Sequence, residues 1–186
     1  EGIKTAAETI GPPARDCAVY TQKGNIPRGH DHRSLVMSHE YLDVITSSSG
    51  TVETVGGFLD CTQHGIKPLS MEDRKDPIML ARHNAAIAGR RVMEDSLGVC
   101  RFFTERLDHL LEAMNAASGQ NYTHDSFMRA GKRIMASARL YNITSGITSR
   151  CEVPSSRYGE RQPDGPFAET VHLRENLSQA RTEYFQ

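Results

Sequence analysis

The stretch DPIMLARHNAAIAGRRVMEDSLGVC, residues 76–100, constrains this chain most. It predicts a helix from Asp76 to Asp95. Pro77 suits a first helical turn, and Ile78, Ala81, Ala85 and Ala88 step along one face toward Val92. After Asp95 the chain must leave the helical path, and Gly98 can take a positive φ with no Cβ in the way. Two residues later stands Cys100, followed at once by Arg101. Whatever fold forms must therefore accommodate a long helix whose end leads into a turn carrying a thiol.

The rest of the pattern is mainly helical. Residues 1–10 read as a helix tail closed by Gly11, Pro12 and Pro13. CAVYTQ alternates like a short strand ended by Lys23 and Gly24, NIPRGHDHRS is a polar loop, and Leu35, Val36, Tyr41, Leu42 and Ile45 recur with helical period. TERLDHLLEAMNAASG predicts a helix with Thr104 as N-cap, Leu107, Leu110, Leu111 and Met114 inward, and Gly119 at its end. A further helix runs from Thr123 to about Tyr141 with Phe127, Ile134 and Ala138 on its inner face, and a last one starts near Arg174. Between them lies a long turn-rich excursion, NITSGITSRCEVPSSRYGERQPDGP. SSSGTVETVGG reads either as a flexible connector or as an ordered turn whose small residues let backbone approach a ligand.

Charge and composition exclude several classes. A net charge of −1 gives no overall pull toward nucleic acid or anionic membrane, and 6 % aromatics without Trp do not make a stacking platform for bases. No apolar run is long enough to span a bilayer. The chain opens on EGIKTAAETIG, without leader or initiating Met, and stops inside helical periodicity, which predicts a piece of a longer polypeptide. Cysteines 17, 61, 100 and 151 form no CxxC pair, so free thiols in a reducing, cytoplasmic setting are expected. The eight histidines, HDH at 30–32 included, fall outside any ligand spacing, and GxGxxG, GxxxxGK[ST] and GxSxG are all missing.

That leaves DSLGVC. Arg90, Arg91 and Arg101 flank Cys100 in sequence, and positive neighbours favour the thiolate that binds metal. Asp95 can accept hydrogen bonds from a donor-rich heterocycle lying across the same turn. The alternative is a helix end followed by a buried core cysteine, and on the residues alone this is the simpler reading, because one cysteine is weak evidence.

DSLGVCRF resembles the DxxGLC motif of the tungsten-containing aldehyde:ferredoxin oxidoreductase family. GIKTAAETIG, AVYTQKGNIPRGHDHR, RAGKRIMASARLYNITSGITSR, QPDGP and LSQARTEYFQ are similar to further segments of that family, in the family's order along nearly the whole chain. The resemblance implies a mainly α, irregular helical domain with a short N-terminal strand segment, the C-terminal domain of a larger multidomain enzyme. Residues 1–28 would be the tail of the preceding helical domain and 29–186 the cofactor-facing domain.

In that family a tungsten is held by two pterin dithiolenes beside a [4Fe–4S] cluster. The resemblance makes Cys100 the fourth cluster ligand, Asp95 a hydrogen-bond partner of a pterin, and Gly98–Val99 backbone lying against it. Tungsten or molybdenum bis-pterin and the cluster are the implied cofactors. The N-terminal domains of the same polypeptide and ferredoxin, or another electron-transfer subunit, are the implied partners. The family's Cx2Cx3C motif is missing from these residues, Val99 stands where Leu is usual, and GHDHR has His where the family has Pro. Thr51, Val52 and Glu53 stand where aldehyde-oxidising members carry a Cys-His pair, which makes Glu53 the candidate local acid or base beside the plainer reading of a solvated loop carboxylate. An acyl-thioester substrate, as in the related class II benzoyl-CoA reductases, is thus an alternative to an aldehyde. The isolated piece is expected to be inactive. The rival reading is a noncatalytic helical interaction domain that keeps the family scaffold.

Overall fold

In a computed structural model the chain is described over residues 2–23, 38–48, 62, 66–70, 72–100, 106–159 and 177–186. Eight helices run through them: α1 Ile3–Ile10, α2 Pro12–Cys17, α3 Ser38–Thr46, α4 Pro77–Ser96, α5 Leu107–Ser118, α6 His124–Thr144, α7 Ser156–Gly159 and α8 Leu177–Tyr184. The expectation of a mainly helical domain agrees with this.

α4 forms where the sequence places it because its first turn is closed twice. The Asp76 carboxylate accepts from the backbone N–H of Ile78 at 2.8 Å and of Met79 at 3.4 Å, while Pro77 has no N–H to leave unsatisfied. α6 starts on a capping box. Thr123 accepts from Ser126 N, and the Ser126 hydroxyl accepts in turn from Thr123 N at 2.9 Å. Between α5 and α6, Gly119 takes φ 66°, and the Asn115 side chain bonds both backbone groups of Tyr122, at 2.7 and 3.0 Å. Two helices are thus folded back on each other by local chemistry alone.

α4 is the spine. Its first half, through Leu80 and Ala81, joins Tyr41, Leu42, Val44 and Ile45 of α3 and Leu177, Ala180 and Tyr184 of α8 in one core. Its second half, through Met93, joins Leu107, Leu110 and Leu111 of α5 and Phe127 and Met128 of α6 in another. Between them Ile87 and Ala88 pack with Met135 and Ile66. At that crossing Gly89 faces Gly131. A Cβ built on Gly131 would come within 2.6 Å of the Gly89 carbonyl carbon and 2.8 Å of its Cα, so no larger residue fits.

Several expectations are corrected. The strand predicted over CAVYTQ is reduced to a single antiparallel bridge, Thr21 with Pro154, flanked by Gln22 N–H to Val153 O at 2.8 Å and Ser155 N–H to Tyr20 O at 2.7 Å. Cys17 belongs instead to the end of α2, which Pro12 and Pro13 open directly after Gly11 closes α1. α5 begins at Leu107 with Arg106 as its N-cap, not at Thr104, which lies outside the described residues. Ile134 is 43 % exposed and Ala138 is exposed, because α6 meets α4 along Phe127, Gly131 and Met135, and glycine sets the distance. The start expected near Arg174 for the last helix also lies outside the described residues, within which α8 runs from Leu177.

Helix propensity alone would make Gly131→Ala stabilising by about 1 kcal/mol. The crossing reverses the sign. Urea unfolding should show a loss of about 3 kcal/mol for Gly131→Ala, the upper range for overpacking, against about 1–2 kcal/mol for Gly119→Ala, where only the left-handed backbone resists a side chain. A stabilised Gly131→Ala would show that the two helices can part freely.

Candidate functional site

The end of α4 carries the turn on which the sequence reading rests. Leu97 closes the helix with its N–H to Met93 O at 3.1 Å and Glu94 O at 3.2 Å. Gly98 then takes φ 68°, with its own N–H to Asp95 O at 3.1 Å, and Val99 N–H returns to Glu94 O at 3.2 Å. The left-handed residue is what lets Val99 N–H reach back, as in other glycine-ended helices. Val99 is half-buried against the Met93 and Phe127 core, which anchors the turn. Cys100, the next residue, is exposed with a free thiol. It is therefore not the buried core cysteine of the simpler reading.

Asp95 lies one turn back. Its carboxylate, with 46 % of the side chain exposed, is paired to Arg91 Nη2 at 3.2 Å. Arg91 also reaches Glu94 Oε2 at 3.6 Å, and Arg90 Nε meets Glu94 Oε1 at 3.3 Å. Arg90 and Glu94 are 1 % and 0 % exposed, a fully buried pair. Arg90 and Arg91, which flank Cys100 in sequence, are thus both engaged by carboxylates of their own helix. Sequence reasoning missed Glu94, whose i, i+4 spacing from Arg90 reads on paper like an ordinary surface pair. The signal was the neighbouring Ala88 and Gly89, small residues that mark this stretch of helix as close-packed.

Glu53, with residues 49–54 of the SSGTVET turn, lies outside the described residues, as do Cys61, Arg101, His30 and His32. Among the described residues no group of three or more His, Cys, Asp or Glu side chains could hold a metal ion. Among the described residues the turn carries one exposed sulfur and one half-exposed carboxylate. A cavity of ≈ 650 Å³ lies against the Ala85 and Ala88 face of α4, bounded by α6 and the end of α8.

Behind that cavity is a second polar cluster. Lys23 Nζ donates to Ser47 O at 2.6 Å, and Arg139 forms an ion pair with Glu152, which is 2 % exposed. Burial pulls the Lys23 ammonium down from its ordinary 10.5 to about 8, against the upward pull of the Glu152 carboxylate and, more weakly, of Asp43. Tyr184 is pushed above its ordinary range, first by burial and then by Asp43. Half-buried His83 is held below its ordinary value by burial and by the Arg74 charge.

A family model described as aldehyde ferredoxin oxidoreductase, domains 2 and 3, matches residues 1–186. The chain is similar to the tungsten-containing aldehyde ferredoxin oxidoreductase of Pyrococcus furiosus, 34 % identical over 88 residues, which is 45 % of this chain and 14 % of that relative. The proteins of the same name from Pyrococcus horikoshii and Thermococcus kodakarensis are 33 % and 31 % identical over the same shares. The match thus spans about a seventh of the length of these relatives. No solved structure matches. No helix of the described residues is long and apolar enough to cross a membrane.

Lys23 gives a pH dependence with a definite sign. Below about pH 8 it is protonated folded and unfolded; between about 8 and 10.5 only the unfolded chain holds the proton, so stability rises with pH across that window. Unfolding midpoints of the native chain should therefore climb relative to Lys23→Met from pH 8 to 10. A difference that stays constant would mean that Lys23 titrates as in water.

Proposed function

Because this chain belongs to the aldehyde ferredoxin oxidoreductase family, we propose that it forms the C-terminal part of a tungsten-bispterin, [4Fe–4S] oxidoreductase. That enzyme would move electrons between an aldehyde/carboxylate or acyl-thioester substrate and ferredoxin. In this reading residues 1–28 close the preceding helical domain and 29–186 face the cofactor. The observation that carries it is the exposed thiol of Cys100, set on a turn that Gly98 and the Val99 to Glu94 hydrogen bond hold in one shape.

Each residue then has a role suited to its chemistry. Cys100 supplies a thiolate to the cluster, the form in which cysteine binds iron. Asp95 accepts from a pterin N–H; its pairing with Arg91 orients it and leaves the exposed side of the carboxylate to the ligand. Gly98, with nothing within 4 Å of where a Cβ would stand, allows the Gly98–Val99 backbone to lie flat against a ring. Bound there, the metal-pterin and the cluster would supply the two-electron and one-electron chemistry that no side chain of this segment can perform. The electron partner follows from the name of the relatives, and a cytoplasmic setting from the free thiols.

Glu53 is the proposed proton carrier, standing where aldehyde-oxidising members have histidine. A carboxylate there needs its pKa raised by the surroundings to work near neutral pH.

Two substitutions test this. In the holoenzyme Cys100→Ser should lower iron content or shift the cluster's spectrum, whereas Cys61→Ser and Cys151→Ser should do neither; an unaltered cluster in Cys100→Ser would remove the ligand assignment. Glu53→Gln should reduce turnover by roughly 10²-fold, with iron content unchanged. Near-normal turnover would make Glu53 a bystander.

A further inference from the structure

The ≈ 650 Å³ cavity has the size of a small-molecule site and a division of chemistry that the cluster reading does not use. Its wall is apolar: Ala85 and Ala88 from α4, and Met135, Leu140 and Ile143 from α6. Leu140 and Ile143 are 63 % and 49 % exposed, so this wall meets water when nothing covers it. No Asp or Glu lines the cavity, while Lys132 and Arg139, two turns apart on α6, both do.

Arg139 is set in advance. Its guanidinium stacks on Phe185 with Cζ 3.5 Å from the ring centroid, and Phe185 is fixed edge-on to Tyr184 at 4.8 Å. One nitrogen, Nη1, is taken by buried Glu152. Nε and Nη2 have no acceptor among the described residues, and no carboxylate among them pairs with Lys132. A planar donor fork with one edge free matches a carboxylate better than a spherical or doubly charged anion. Among the lining side chains, with Glu152 already balancing Arg139, the surplus is the single charge of Lys132. We propose that this cavity binds a medium-chain monocarboxylate, its head between Arg139 and Lys132 and its aliphatic body on the α4 and α6 wall. The cavity lies off the Asp95–Cys100 turn, so such binding is independent of any cluster at Cys100.

Calorimetric titration of the purified protein with sodium octanoate and with octan-1-ol tests the site directly. Octanoate should bind roughly tenfold tighter than the alcohol or more, since a hydrogen bond to a charged group is what separates them. Arg139→Gln would leave Glu152 buried without its cation and endanger the fold, so exposed Lys132→Gln carries the charge test. It should weaken octanoate severalfold and leave octan-1-ol unchanged. Ala136→Trp, which fills the lining, should abolish binding of both. Absence of octanoate binding, equal affinity for the alcohol, or octanoate binding undisturbed by Ala136→Trp would each overturn the assignment.

Discussion

Everything in this domain hangs on the crossing of α4 and α6 at Gly89 and Gly131. Glycine inside a helix costs about 1 kcal/mol relative to alanine, yet each of these long helices carries one at the point of contact. What that cost permits is backbone-to-backbone approach, closer than any Cβ would allow. Once the two axes are that near, Ile87 and Met93 reach opposite sides of the same contact and seed cores that recruit Met135 on one side and Phe127 with α5 on the other. A wider crossing would leave both cores open to water.

Next to that crossing in sequence stands the buried Arg90–Glu94 pair. Two ions taken out of water lose several kcal/mol each, and a pair at 3.3 Å recovers this only with good geometry and further polar contacts. Arg90, Glu94, Arg91 and Asp95 pair in that order across the last turns of α4, from fully buried to half exposed. That ladder fixes the end of the helix just where the chain turns toward Cys100. A purely apolar last turn would pack as well but would leave the Asp95 carboxylate without a neighbour to orient it.

Polar burial recurs on the far side of α4. Glu152 enters the interior with Arg139, Lys23 and Ser47 around it, and Arg181 of α8 donates to the carbonyls of Ser149 at 2.7 Å and Glu152 at 3.0 Å. Residues from the beginning, middle and end of the chain are joined there by hydrogen bonds rather than by apolar area. The 149–155 segment, turn-rich and short of hydrophobic residues, is held against Ala18, Tyr20 and Gln22 by backbone bonds and the Ser155 hydroxyl.

Where the determining chemistry is local, the sequence by itself was enough. Pro77, Thr123 and Gly119 set helix boundaries within a residue, since a cap is made by groups two to four positions apart. Gly98 announced a turn before Cys100 for the same reason. What only the tertiary structure decided was which face of each helix is inside. Hydrophobicity placed Ile134 inward, but the α6 face that meets α4 is chosen by Gly131, the residue with no side chain at all, and Ile134 was left outside. Likewise Arg90 and Glu94 look like surface residues from their spacing alone, yet both are buried. Burial depends on what arrives from elsewhere in the chain, and a periodicity read along one helix does not contain its neighbour.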